Sequence, residues 1–122
     1  MRIPLFTVIV TIASFGVVLA GTVDVYSVTG RSMEPVIVSG QIVVVDRISY
    51  RIRAPRRGEI LVIREPVQDR LVLKQCIRVD ENMLVYVRGI NSAASIDSRS
   101  YGGVQRTRIR GRVVLIGGHR NG

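Results

Sequence analysis

Cysteine, histidine and tryptophan are scarce in this chain. Its 122 residues include one cysteine, one histidine and no tryptophan, and aromatic residues make up only 5%. The lone Cys76 excludes an intramolecular disulfide. The single histidine, His119, lies in the glycine-rich C-terminal run, which argues against a conventional catalytic triad. Few aromatic side chains also means no evident stacking platform for single-stranded nucleic acid. The sequence implies neither a metal nor an organic cofactor.

Lysine is almost absent as well. Lys74 is the only lysine among 18 basic residues, so the other seventeen are arginine. Arginine stays protonated in proteins, whereas a buried lysine can lose its proton near neutral pH and act as a base. Strand alternation places Lys74 on the same face as Val72 and Cys76, where desolvation lowers the pKa of a lysine. The alternative is a chance exception whose ammonium group reaches water along its aliphatic stem.

A serine in a shaped turn supplies a partner for this lysine. In the segment Gly30 to Pro35, Ser32 is followed by Met33. One serine beside one neutral lysine suffices for nucleophilic catalysis. Gly30 permits close approach of a ligand to the backbone, Pro35 stiffens the turn, and the Ser32 N–H could meet an oxyanion. A plain turn containing serine and proline is the other interpretation.

From Gly30 to Gly102 the chain resembles the type I signal peptidases, membrane-anchored Ser/Lys endopeptidases that remove signal peptides from exported proteins. The likeness consists of three boxes in the family's order. They are Gly30-x-Ser32-Met33-x-Pro35 with the following Gly40 and Ile42–Val45; Arg57–Val62 with Lys74 downstream; and Gly89–Gly102, which keeps the family spacing of Gly, Asn, Ser, Asp-Ser-Arg and Gly.

The resemblance implies a role for each matching residue. Ser32 corresponds to the nucleophile, whose own backbone N–H would serve the oxyanion, and Lys74 corresponds to the general base. Ser95 corresponds to the hydroxyl that orients the lysine amine. The implied substrates are precursor proteins that bear signal peptides and bind in extended conformation, with small side chains at the first and third positions before the cut.

Supporting roles follow from the same resemblance. Asp97 and Arg99 form an ion pair that fixes the loop carrying Ser95, and Gly30, Met33 and Pro35 shape the loop of the nucleophile. An Asp–Arg fork is a rigid way to hold such a loop. The alternative for this box is a polar turn with a surface ion pair of little energetic weight.

The chain also departs from the family pattern. Val36, Gln41, Gln75 and Ile90 stand where the family usually has threonine, aspartate, arginine and aspartate. The short Asp80–Asn82 segment replaces a longer insertion of larger members. None of these changes removes a residue assigned to chemistry, so we expect a small, divergent member with altered packing around the site.

The amino terminus predicts a membrane anchor. Ile3–Val23 is 21 uncharged, mostly apolar residues, and as a helix it would rise roughly 30 Å, enough to cross a bilayer. Arg2 precedes the segment and Asp24 follows it, which predicts a cytoplasmic N-terminus and residues 25–122 on the outer face of the cell membrane. A cleaved signal peptide is the alternative, because Val18-Leu19-Ala20 before Gly21 has small residues near the positions where a signal peptidase would cut.

Behind the anchor, the pattern predicts one mainly β domain. Short runs rich in valine and isoleucine are separated by Gly, Pro, Asn and Ser, which is typical of a compact antiparallel β fold. The expected organisation is an anchor over 1–24, a β-barrel-like catalytic domain over 25–116 and a flexible tail over 117–122. The predicted strand segments are Val25–Val28, Ile42–Asp46, Ile60–Ile63, Leu71–Val79, Met83–Val87 and Arg112–Ile116.

The formal net charge of +9 needs a partner of opposite sign. Arginine runs at Arg51–Arg57 and Arg106–Arg112 resemble nucleic-acid patches at first sight. Behind a membrane anchor, attraction to anionic lipid headgroups explains them more simply. We therefore expect anionic membrane lipids as a partner and no nucleic acid.

Two other functions stay open at this point. One is a self-cleaving protease of the SOS-repressor type, which shares a Ser/Lys dyad and a Ser-Met motif, and the Ala20–Gly21 bond resembles the bond that such proteins cut. The chain lacks their amino-terminal DNA-binding helices. The other is a non-catalytic, membrane-anchored basic β module, in which Ser32 and Lys74 are merely structural.

Overall fold

The computed structural model describes residues 22–91, 93 and 96–118. The predicted anchor lies outside these residues except at its end, as do Ser95 and the last four residues of the predicted tail. In the described part of the chain, no helix is long and apolar enough to cross a membrane.

Six antiparallel strands form a single sheet in the described residues. Its order is β1-β2-β6-β3-β4-β5, so the last strand inserts between β2 and β3. The strands are β1 (Val23–Ser27), β2 (Ile42–Asp46), β3 (Ile60–Arg64), β4 (Leu71–Val79), β5 (Val85–Arg88) and β6 (Ile109–Gly117). Two one-turn helices, α1 (Ser49–Ile52) and α2 (Ser98–Tyr101), and a 3₁₀ turn (Arg106–Arg108) complete the fold.

The mainly β class and the antiparallel arrangement are confirmed, and all six predicted segments overlap a strand. Two boundaries differ. Val23 pairs with Asp46, so Val23 and Asp24 belong to β1 rather than to the predicted anchor. Gly117 pairs with Ile42, so β6 runs into the predicted tail. Among the described residues the sheet is open, with β1 and β5 as its outer strands.

Apolar side chains cover both faces of the sheet. Successive residues of a strand point to opposite faces, so Val62 of β3 joins one cluster while Leu61 and Ile63 join the other. The first cluster is built from Tyr26, Val28, Met33, Ile37, Val43, Val45, Val62 and Leu73. The second is built from Leu61, Ile63, Cys76, Val85, Val87 and Val104. β3 and β4 therefore contribute buried side chains to both clusters.

Candidate active site

Ser32 lies in the loop between β1 and β2. Hydrogen bonds join the two ends of this loop, and buried side chains hold its middle. Val28 donates its N–H to the Gln41 carbonyl and Gly40 donates to the Val28 carbonyl, each at 2.8 Å. Met33 and Ile37 are buried in the first apolar cluster. The loop therefore presents its polar residues from a backbone that is anchored at both ends and in the middle.

Ser32 itself is half-buried and tied to a distant part of the chain. Its carbonyl accepts a 2.7 Å hydrogen bond from the N–H of Asn91, which joins the first and third sequence boxes. Among the described residues, no hydrogen bond engages the Ser32 N–H or hydroxyl. Gly30 has a φ of +98°, a left-handed conformation that favours glycine. Pro35 is exposed on the far side of the turn.

Lys74 lies in the middle of β4, directly opposite the fully buried Leu61 of β3. Its residue surface is only 3% exposed. The neighbours two positions away, Val72 and Cys76, pack in the second apolar cluster, as the strand alternation predicts. Apolar side chains therefore form much of the surroundings of this lysine.

Burial lowers the pKa of the Lys74 amine below its usual value. The carboxylates of Asp97 and Glu65 act in the opposite direction, because a nearby negative charge favours the ammonium form. Arg70 and Arg99 add to the lowering. The net effect is a lowered pKa, so Lys74 gives up its proton more readily than an exposed lysine does, as a general base requires.

Ser32 and Lys74 line the same cleft, which has a volume of about 460 Å³. The Ser32 loop forms one wall and β4 forms the floor. The turn between β3 and β4 contributes Glu65 and Gln68, and Ile96 lies at the mouth with half of its surface exposed. The fold thus brings a hydroxyl and a buried amine, 42 positions apart in sequence, to one cavity.

Glu65 is a cleft residue that the sequence analysis missed. It is 4% exposed, and its carboxylate accepts hydrogen bonds from the N–H groups of Val67 at 2.8 Å and Gln68 at 2.6 Å. These bonds hold the turn that leads into β4. A glutamate followed by proline at the end of an apolar run is the only sequence signal of this arrangement, and it marks a turn rather than a site.

Asp97 organises the loop that precedes α2. It is 1% exposed and accepts hydrogen bonds from the N–H of Gly89 at 3.2 Å and from the Nε and Nη2 of Arg99 at 2.8 and 2.9 Å. It also caps α2 by accepting from the Arg99 N–H at 3.1 Å. Burial alone would raise the pKa of this carboxyl, but the hydrogen bonds lower it to about 2.

The Asp97–Arg99 pair predicted from the sequence is therefore present as a two-pronged ion pair. Ser98, which the sequence analysis did not select, accepts a 2.8 Å hydrogen bond from the N–H of Val87 and ties α2 to β5. Ser95 lies outside the described residues. Asp97 and Ser98 follow that residue in the chain and are themselves fixed by these bonds.

The four departures from the family pattern lie away from the cleft lining. Gln41 is buried and its side-chain oxygen accepts from the Val38 N–H at 2.9 Å, inside the Ser32 loop. Ile90 packs against the first apolar cluster, and Val36 is exposed. Gln75 makes a long contact of 3.5 Å with the Gly58 carbonyl. Of the four, Gln41 and Ile90 therefore have packing roles.

Comparison with known families links this geometry to a class of protein. The family model described as signal peptidase, peptidase S26, matches residues 2–80, which is 79 of the 122 residues. The matched span contains both Ser32 and Lys74 and ends before the third box. No curated protein matches the chain. This chain is therefore a member of the signal peptidase family, peptidase S26.

Proposed function

We propose that this protein is a serine endopeptidase that cleaves signal peptides from exported precursor proteins with a Ser32/Lys74 dyad. The observation that carries the proposal is the shared cleft, in which a half-buried serine and a buried lysine of lowered pKa come together. Family membership supports the reaction class.

The first half of the reaction forms an acyl-enzyme. The neutral amine of Lys74 takes the proton of the Ser32 hydroxyl as its oxygen attacks the carbonyl carbon of the scissile bond. The oxygen of that carbonyl gains negative charge, and the Ser32 N–H donates a hydrogen bond to it. The tetrahedral intermediate then collapses, and the protonated Lys74 returns the proton to the departing amine of the mature protein.

The second half hydrolyses the acyl-enzyme. Lys74, neutral again, takes a proton from a water molecule that attacks the ester carbonyl, and the proton passes to the Ser32 oxygen as the ester breaks. Ser95 would orient the lysine amine, and the Asp97–Arg99 pair would hold the loop that carries it. In this scheme, Gly30, Met33 and Pro35 keep the Ser32 loop in shape.

The proposed setting is the cell membrane, with the β domain on the outer face. The uncharged segment that begins at Ile3 and precedes β1 supports it, because its length and composition suit a membrane-spanning helix. An anchored peptidase would meet its substrates where a signal peptide leaves the bilayer.

The test is cleavage of a preprotein by the full chain reconstituted in lipid vesicles. Ser32→Ala and Lys74→Arg should each abolish cleavage, the second without changing the net charge. Ser39→Ala, an exposed serine of the same loop, is the matched control and should cleave like the wild type. Full activity of Lys74→Arg would refute the base assignment. Cutting of only the chain's own Ala20–Gly21 bond would favour the self-cleaving class instead.

A further inference from the structure

A second groove, of about 660 Å³, lies across the β3–β4 turn from the cleft, and Leu71 lines both. Its lining is dominated by one residue type. Six arginines line it, against the single carboxylate of Asp69: Arg47, Arg51, Arg64, Arg106, Arg108 and Arg110. They come from three separate segments of the chain, so the fold and not one sequence run creates this arginine groove.

The groove arginines differ from arginines elsewhere in the fold. Arg53 pairs with Glu59 at 2.6 Å, and Arg112 contacts the carboxylates of Glu59 and Asp46 at 3.4 Å, so both charges are balanced. In the arginine groove, by contrast, Arg106 donates to two backbone carbonyl oxygens. A carbonyl holds a guanidinium group in place without neutralising it.

The same pattern applies to the opposite wall. Arg64 donates to the Asp69 carbonyl oxygen at 2.8 Å. Arg108 donates to the Arg64 carbonyl at 3.2 Å and makes a longer 3.4 Å contact with the exposed Asp69 carboxylate. Arg47 contacts Asp24 at 3.5 Å. The lining thus carries six guanidinium groups and one carboxylate, which is 71% exposed, so the arginine groove has a positive charge that suits an anionic ligand.

The position of the arginine groove identifies the source of such a ligand. The N–H of Arg47 donates to the carbonyl oxygen of Thr22 at 2.8 Å. Thr22 belongs to the end of the uncharged segment that we propose as the anchor. A wall of the groove is therefore fastened to the chain where it would leave the bilayer, at the level of the lipid headgroups.

We infer that the arginine groove binds the phosphate groups of anionic lipids and holds the catalytic cleft beside the membrane surface. This inference rests on the proposed membrane anchoring. Guanidinium groups bind phosphate through paired hydrogen bonds, and arginines near an anionic leaflet are attracted to it. Because Leu71 is shared, docking at the groove fixes the cleft near the bilayer at the same time.

The experiment compares hydrogen exchange of the full chain in two kinds of lipid nanodisc. One contains phosphatidylcholine alone, and the other contains about one third phosphatidylglycerol. We expect amides of 47–53 and 105–108 to exchange more slowly in the anionic discs. Arg51→Gln/Arg110→Gln should weaken docking by about fivefold per arginine and remove most of the slowing.

The control is Arg57→Gln/Arg88→Gln, which removes the same charge from exposed positions outside the groove lining and should keep the slowing. Equal exchange in both discs, or equal loss in the control, would overturn the inference. Slowing by soluble glycerol phosphate in neutral discs would reassign the groove to a free phosphate, and slowing by precursor alone would reassign it to the substrate. Ser32→Ala should keep the lipid effect, so failure of catalysis and failure of docking are distinguishable.

Discussion

Glu59 lies just before β3 and Lys74 lies in β4, and both ionisable groups have a lowered pKa, with opposite meaning. Glu59 is desolvated, but bonds from Arg53, Tyr50 and the Arg56 N–H outweigh its burial and lower its pKa to about 2. A lowered pKa keeps an acid charged. The pKa of Lys74 is lowered by burial itself, and a lowered pKa makes a base neutral.

The comparison separates a structural charge from a reactive one. Glu59 collects donors until its charge is stabilised, as a group does when it holds elements together. The lowered pKa of Lys74 eases loss of its proton, although Asp97 and Glu65 oppose this. Removing the first group should therefore cost stability, and removing the second should cost activity.

The largest expected effect is that of Lys74→Met. Cleavage should fall by about 10³-fold or more because the general base is lost, while the variant should be at least as stable as the wild type because an apolar side chain replaces a buried amine. Measuring kcat/KM and the thermal unfolding midpoint of each protein checks both parts. Gln75→Met, whose side chain lies outside the cleft lining, is the control and should retain activity.

Glu59→Gln should show the reverse pattern. Arg53 and Arg112 would lose their charged partner, and we expect a loss of about 2 kcal/mol in the free energy of unfolding, with cleavage per folded molecule within about threefold of the wild type. Urea unfolding measures the first quantity and a preprotein assay the second. Glu81→Gln, at an exposed turn position, should change neither. A Glu59→Gln protein that is as stable as the wild type but inactive would contradict this prediction, because Glu59 would then serve activity rather than stability.

Asp97→Asn extends the comparison to a charge that supports the site. We expect a loss of about 1.5 to 3 kcal/mol near neutral pH because a buried carboxylate gives up its bonds to Arg99. The pKa of Asp97 is about 2 in the folded protein, below the unfolded value. Its contribution is therefore complete above the unfolded pKa and disappears as the pH falls through about 2. Unfolding of the two proteins at a series of pH values should show the difference shrinking in acid; a constant difference would contradict the assignment.

Glu65→Gln is expected to have the smallest effect. Without the Glu65 carboxylate, the pKa of Lys74 falls further, so the rise of kcat/KM with pH should move to lower pH. The maximal rate should fall only modestly, since the amide oxygen of glutamine can still accept from one of the two N–H groups, Val67 or Gln68, that the two carboxylate oxygens hold. A pH–rate profile beside that of Glu81→Gln measures the shift, and movement to higher pH would mean that Glu65 acts in another way.

The strands could be predicted from the sequence because valine and isoleucine runs mark β structure wherever they face a core. The buried position of Lys74 followed from alternation with Val72 and Cys76. The sheet order could not be predicted, since nothing local to Ile109–Gly117 signals insertion between β2 and β3.

The charged networks were beyond sequence reasoning for the same reason. Glu59 meets Arg112 only because β6 lies beside β3, and the arginine groove gathers residues from both sides of the fold. Glu65 looked like a turn residue because its contribution to the cleft depends on how the turn leads into β4. The strands could thus be predicted from local patterns, whereas the charged networks depend on contacts between residues that are far apart in the sequence.

The central claim is that Lys74 is a base of lowered pKa that activates Ser32, and the composition offers a direct measurement. Because the chain has only one lysine, a full-length sample labelled at the lysine side chain gives a single lysine NMR signal to titrate. We predict a midpoint below the ordinary 10.5 that coincides with the midpoint of the rise in kcat/KM. A Lys74 midpoint at 10.5 or above would contradict the account, as would a rise in kcat/KM whose midpoint differs from that of Lys74.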